Sequence, residues 1–215
     1  MTKPQETRRT EILEAAIQVI AEKGLSATTM ERVAGRAGVS PGTVTFHFAR
    51  KEALLLAALD HVVALFDVAR SEALAAAGDD AARALDGLAA ASFAPDVYTP
   101  EKIAVWTAFW GEASARRIYM ARVGPADARF HRDVMRETRR LLARAGAGRG
   151  DQATAEALAR GLTGLVDSLW QEQLAAPGSI DAAGARTLIR AYLAAAFPRE
   201  PLWRDAPTHE EGTRA

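Results

Sequence analysis

Residues 28–48 read TTMERVAGRAGVSPGTVTFHF, and the fold turns on how this stretch divides. Thr28 to Glu31 has the spacing of a capping box: a Thr hydroxyl takes an orphan amide, and a Glu three residues on reaches back. A short helix is expected from there to about Ala37. Gly38 follows, where a tight turn needs a residue that enters the left-handed region without a Cβ clash. Ser40-Pro41 then starts a second short helix. The Ser caps it, and Pro sits in the first turn, where a missing N–H costs nothing. That helix is expected over roughly Pro41 to Phe48. Two short helices joined by Ala-Gly-Val-Ser have helix-turn-helix geometry, with Val33, Ala34 and Val39 placed to hold them together.

Outward from this core, nearly every segment reads as helix, and strand signals are almost absent. Before it, Gln5 to Lys23 carries Ile12, Ala15, Ala16, Val19 and Ile20 at three- and four-residue spacing, and Gly24 stops it. After it, helices are expected from near Arg50 to Ala77, to about Phe93, from Thr99-Pro100-Glu101, from Gly124-Pro125 to about Gly146, over Asp151–Ala175 and over Asp181–Phe197. Gly146-Ala147-Gly148-Arg149-Gly150 reads as a linker. The class is all-α with about nine helices. A three-helix head over residues 1–51 precedes a helical ligand-binding and dimerisation body over 52–197. The stretch 198–215, with its prolines and charges, is expected to be disordered.

The 215 residues include no cysteine, which excludes disulfides, thiolate metal sites and cysteine chemistry. Lys plus Arg number 27 and Asp plus Glu 27, so the chain carries no general basic excess toward nucleic acid. Residues 1–52 hold eight basic side chains against six acidic ones, a small local excess. There is no apolar leader and no long apolar run, so a cytoplasmic protein without a membrane partner is expected. No phosphate-binding glycine loop, nucleophile elbow or paired-His zinc motif occurs. None of His47, His61, His131 and His209 has metal-ligand spacing, though Asp127 and His131 share a face. The expectation is a non-enzyme with no cofactor and no metal.

The N-terminal end of the second motif helix is the part that enters a major groove. Pro41, Gly42, Thr43, Thr45 and His47 present small or hydrogen-bonding groups there, and Thr43 and Thr45 suit base edges or thymine methyls. Thr10 to Leu55 resembles the head of the tetracycline-repressor (TetR) family. The match runs through Ile12-Leu13, Ala15-Ala16, Gly24, Thr28-Thr29, Val33-Ala34, Ala37-Gly38-Val39-Ser40, Gly42-Thr43, His47-Phe48, Lys51-Glu52 and Leu54-Leu55. The resemblance implies DNA contacts at Thr28, Thr29, Ser40 and Lys51 as well, those of Thr29 and Lys51 to phosphate, and a core position for Phe48. The chain departs from the family where tyrosines are common, at Thr45 and His47, which implies a different base preference.

In the body, Trp106 and Trp110 share a helix face, with Phe109 beside them. Phe66, Tyr119 and Trp170 are candidates to converge on them, with Asp167, Glu112 or Glu172 as the carboxylate. Such a set either packs the core or cages an organic cation through cation–π attraction. Lys102–Trp110, Leu165–Trp170 and Ala185–Ile189 are similar to the choline-responsive BetI-type subgroup of the same family, which implies a quaternary ammonium effector. The arginines from Arg116 to Arg144 read as a solvated face, or as the mark of an anionic effector. Leu158, Leu162, Leu165, Val166 and Leu169, with Leu188 and Tyr192, form apolar stripes expected to make a four-helix homodimer interface. The partners expected are operator DNA, a second copy and a small-molecule effector that releases a repressor from its operator. The alternatives are an apolar or anionic effector, or an effector-independent architectural DNA-binding protein.

Overall fold

In the computed structural model, residues 3–112, 115–146 and 151–204 are described, and among them ten α-helices and no strand are found. They are α1 (Lys3–Ala27), α2 (Met30–Ala37), α3 (Pro41–His47), α4 (Lys51–Ala77), α5 (Ala81–Ala91), α6 (Pro100–Gly111), α7 (Arg116–Arg144), α8 (Asp151–Ala175), α9 (Ala182–Ala196) and α10 (Pro201–Arg204). No described helix is long and apolar enough to cross a membrane.

Local chemistry sets most of the boundaries. Ser40, Asp80, Thr99 and Asp181 each accept a first-turn amide, which fixes the starts of α3, α5, α6 and α9. Gly38 closes α2 at φ 65°, ψ 31°, and Gly24 interrupts α1 at φ 77°. Two expectations are corrected. The cap of α2 is Thr29, whose hydroxyl accepts from the Arg32 amide, and Thr28 is fully buried with its hydroxyl on the Gly24 carbonyl at 2.8 Å. No helix starts at Gly124-Pro125. Instead α7 begins at Arg116 and continues through Pro125, because Val123, Ala126, Phe130 and Val134 form one buried stripe across it. Pro125 and Ala121, one turn back, are both exposed, so the lost hydrogen bond lies on the wet side. Of the predicted linker, residues 147–150 lie outside the described residues.

Two compact units emerge. One comprises Met1–Asp67 and Thr99–Ala126, the other Val68–Tyr98 and Asp127–Ala215. The boundary expected at residue 51 therefore falls inside the first unit. There α1 packs on both α2 and α6. Its buried stripe is Ile12, Leu13, Ala16, Ile17 and Ile20, and α6 contributes Ile103, Val105, Trp106 and Phe109 to the core of this unit.

In the second unit α9 packs against α5, α8 and α10. The last of these corrects the expected disordered tail. Residues 201–204 form a helical turn, Trp203 is fully buried, and its indole N–H donates to Asp86 Oδ1 at 3.2 Å. Burial would raise the Asp86 carboxyl, but the bidentate Arg190 guanidinium, at 2.8 and 2.7 Å, outweighs it and holds the group below its ordinary value. The remainder of the tail, 205–215, lies outside the described residues. Trp203→Ala empties a fully buried site and leaves an Asp86 acceptor short of a donor, so it is expected to cost about 3–5 kcal/mol. Urea unfolding of the variant checks this, and a loss under about 1 kcal/mol would mean that the turn is not part of the core.

Candidate nucleic-acid interface

The helix-turn-helix lies wholly in the first unit. Val33, Ala34 and Val44 are buried, and the Val39 amide donates to the Ala34 carbonyl at 3.0 Å, so α2 and α3 are locked through one apolar contact and one turn. With Val44 inward, the 100° step of a helix turns Gly42 and Phe46 directly outward, with Thr45 and Thr43 on the flanks. The exposures agree: Pro41, Gly42, Thr45 and Phe46 are exposed, Thr43 and His47 half-buried, and Phe48 buried.

The polar groups expected to reach DNA are partly engaged within the chain. Ser40 Oγ accepts the Thr43 amide at 3.1 Å and meets Thr43 Oγ1 at 2.9 Å. The Thr45 hydroxyl donates to the Pro41 carbonyl at 3.1 Å. Lys51 donates one ammonium N–H to the Ser26 carbonyl at 2.6 Å, which fixes its head beside the α1–α2 connection and leaves two N–H groups. Thr29 is half-exposed and also hydrogen-bonds the Glu31 carboxylate. That carboxylate is held below its ordinary value by its own backbone N–H first and by Thr29 second. Thr28, enclosed and internally bonded, has no surface to offer a partner. Phe46, at 73% exposed, escaped the sequence reading because a lone Phe beside a buried Val44 and Phe48 looks like core.

The candidate effector residues divide between the units. Phe66, Trp106, Phe109, Trp110 and Tyr119 belong to the first, Asp167 and Trp170 to the second. Within the first, Tyr119 stands edge-on to both indoles, with centroids 6.2 Å from Trp106 and 5.4 Å from Trp110. Phe66 and Phe109 are buried. The Arg116 guanidinium lies 5.7 Å from the Trp110 ring, so the chain supplies its own cation to that ring. Within the second unit, the Trp170 indole donates to the Ser92 carbonyl at 3.0 Å. Asp127 is the residue the spacing argument passed over. Burial, with the nearby Asp167 charge adding, pushes its carboxyl up to about 6, and burial raises Asp167 as well. Among the described residues neither carboxylate has an ion pair or hydrogen bond, although both remain accessible to solvent.

Other expectations resolve into packing. Leu162, Val166 and Leu169 are buried inside the chain and cannot form a subunit interface. Leu158, Leu165 and Tyr192 are half-exposed and Leu188 is exposed, with the Tyr192 hydroxyl donating to the Leu158 carbonyl at 2.8 Å. The arginine-rich face of α7 neutralises buried acids. Arg70 and Arg136 meet Asp133, while Arg136 and Arg140 meet Glu137 at 2.6 and 2.7 Å. An open cavity of about 750 Å³ lies there, lined by His131, Arg132, Met135, Arg139 and Glu156 among others.

A helix-turn-helix whose reading helix faces outward, ahead of further helices in an all-α chain, defines a DNA-binding transcriptional regulator. Residues 12–58 match the bacterial regulatory proteins of the tetR family, and residues 81–198 match the C-terminal domain of BetI-type transcriptional repressors. The HTH-type transcriptional regulator BetI of Burkholderia ambifaria is 30% identical over 88% of this chain and 93% of its own. BetI 2 of Chromohalobacter salexigens is 28% identical over 94% of each chain. Among solved structures, a chain from Pseudomonas aeruginosa PAO1 superposes with TM-score 0.73 at 22% identity, covering 96% of both. A chain from Saccharomonospora viridis in complex with choline superposes with TM-score 0.68 at 24% identity, covering 87% of this chain and 96% of that one. The chain belongs to the tetR family of transcriptional regulators, with a BetI-type C-terminal domain. Its relatives are regulators and not enzymes.

One polar cluster in the first unit yields a pH test. Glu14 on α1 contacts His61 Nε2 of α4 at 2.9 Å and lies 3.9 Å from the largely buried Lys102 ammonium of α6. The His61 hydrogen bond, opposed by burial and aided by the Lys102 charge, holds the Glu14 carboxyl below its ordinary 4.5. A lowered carboxyl stabilises the fold above its unfolded value and loses that contribution as pH falls through the folded value. The stability gap between wild type and Glu14→Gln is therefore expected to be constant near neutrality and to shrink below pH 4.5. Urea midpoints measured across that range check it; a gap independent of pH would sink the assignment.

Proposed function

We propose that the chain is a homodimeric repressor that reads a two-half-site operator through α3 and is released by a compact organic cation, choline or a related quaternary ammonium. The observation that carries the DNA reading is the outward face of α3, set by the buried Val44. Ser40, Pro41, Gly42, Thr43, Thr45 and His47 stand on or beside that face, and Lys51 and Thr29 flank it as phosphate contacts. The role of Thr28 in this reading is to hold the α1–α2 junction through Gly24. A protein meeting two half-sites one DNA turn apart needs a second copy. The apolar residues that α8 and α9 leave outward, Leu158, Leu165, Leu188 and Tyr192, supply an isologous face for it.

The cation reading rests on the unpaired acids. Two neighbouring carboxylates that burial makes reluctant to ionise are relieved by a positive ligand. The choline complex of the Saccharomonospora viridis neighbour and the BetI-type domain agree with that chemistry. Within the same unit as the two acids, Trp170 is the aromatic candidate for a cation–π face, worth on the order of 2 kcal/mol when desolvated. A second reading, an anionic effector, is favoured by the arginine-lined cavity on α7, and an acyl thioester titration separates the two.

Three outcomes test the proposal. Lys51→Ala is expected to weaken binding to all sequences alike and to lower the salt dependence, as loss of a phosphate contact does. Gel shift against a selected operator and a random duplex measures it, and a loss confined to the operator would place Lys51 on a base. Leu188→Glu is expected to give a folded monomer by sedimentation, whereas a charge at buried Leu162 should unfold the second unit. Choline in the tens of millimolar is expected to release the operator from wild type but not from Asp127→Asn, with sodium chloride as the ionic control. Occupied DNA in both would remove choline as the effector and leave the repressor reading standing.

A further inference from the structure

Resting on the DNA-reading role of α3, we infer that Phe46 is a specificity-determining residue of that helix, and that it recognises the C5-methyl groups of thymines in the major groove. Phe46 lies one helical turn after Gly42, opposite the buried Val44. Gly42 adds no side chain in front of the ring, so the phenyl group is the largest feature at the centre of the outward face. At 73% exposed it is an apolar surface held in water in the free protein, next to ordinary core packing by Phe48. Its edge-on contact with the His47 ring, centroids 5.2 Å apart and planes at 84°, steadies it without covering it.

The neighbouring hydroxyls make the face more apolar than its sequence suggests. Thr45 donates its proton to the Pro41 carbonyl, and Thr43 shares a hydrogen bond with Ser40. The Thr45 proton is therefore turned back into α3 and the Thr43 hydroxyl is engaged with Ser40, so what remains unengaged toward a base edge is largely methyl and ring. Of the four bases, thymine alone carries a methyl group in the major groove, and an apolar side chain such as Phe is its natural contact. Hydrogen-bond readout passes to His47, whose half-exposed ring nitrogens are the remaining polar feature of that turn.

The experiment starts from operators that the full-length wild-type chain selects from a random duplex pool. Each thymine in the selected consensus is replaced singly by deoxyuridine, which keeps every hydrogen-bonding group and removes only the methyl. Wild type is expected to bind about fourfold more weakly at one or two symmetry-related positions, the effect of one buried methyl. Phe46→Ala should bind the thymine and deoxyuridine duplexes alike at those positions, and Phe46→Leu should keep part of the discrimination. Thermal melts of the variants, with a ring that is mostly in solvent, confirm the fold. If Phe46→Ala discriminates as wild type does, or if wild type ignores every methyl, the inference is overturned while the operator-reading role stands. If wild type selects no sequence at all, that role falls first.

Discussion

The structure of the reading unit depends on α1 being a shared wall. Ile12, Leu13, Ala16, Ile17 and Ile20 are buried on a single helix that packs on α2 and on α6. Through α2 the wall fixes the helix-turn-helix, because Val33 and Ala34 in turn hold Val44. Through α6 it meets the helix that carries Trp106 and Trp110. Close-packed interiors transmit a shift in one layer to the next, since side chains there have no room to absorb it. The polar contacts follow the same wall: Glu14 on α1 answers to His61 on α4 and Lys102 on α6. A ligand that shifts the population of α6 conformers changes what α1 is packed against, and α1 is what orients α3. For the release proposed above, that is a physical route by population shift, and it requires no contact between ligand and reading head.

Much of this fold was legible in the sequence because helix ends are written in local chemistry. Ser40, Thr99 and Asp181 cap the helices they were expected to start, Gly38 adopts the left-handed turn assigned to it, and Gly24 breaks the first helix where a stop was expected. The failures came where tertiary packing overruled a local signal. Pro125 looked like a start but is carried inside α7 by a buried stripe on the opposite face. Thr28 and Thr29 offer the same hydroxyl one residue apart, and only the burial of Thr28 against Gly24 decides which one caps. The tail looked unstructured by composition, but composition averages over a segment. A single Trp203 with an indole donor for Asp86 is enough to dock four residues.

The candidate site was half legible for a related reason. Periodicity finds a buried stripe but does not say which body buries it. Leu162, Val166 and Leu169 have the spacing of an interface and serve the core of their own unit, while the less regular Leu188 is the side chain left outside. Likewise the threonines of α3 were matched by residue type to base edges or thymine methyls, and only the fold shows that the Thr45 proton goes to the Pro41 carbonyl and that the Thr43 hydroxyl is engaged with Ser40. Asp127 was weighed only beside His131. Its proximity to Asp167 brings together α7 and α8, forty residues apart in sequence, and no spacing rule reaches across that distance.

The neutral charge of the chain now acquires a meaning. Non-specific attraction to DNA comes almost entirely from phosphate neutralisation and is strongly weakened by salt. Here the head, counted over residues 1–52, holds eight basic against six acidic side chains, and two of the bases are ion-paired, Arg36 with Glu22 and Arg8 with Glu11. A head with so small a net positive charge gains little from sliding on arbitrary sequence. Its discrimination must come from direct contacts with base edges, multiplied in the proposed dimer by the use of two half-sites. An apolar reading face suits that division. Contact with a methyl group releases no counterions, so it adds selectivity without adding salt-dependent affinity for the wrong site. In the proposed reading of an effector-released dimer, weak non-specific holding is an advantage. On that reading the effector needs to undo only the geometric match between two heads and two half-sites.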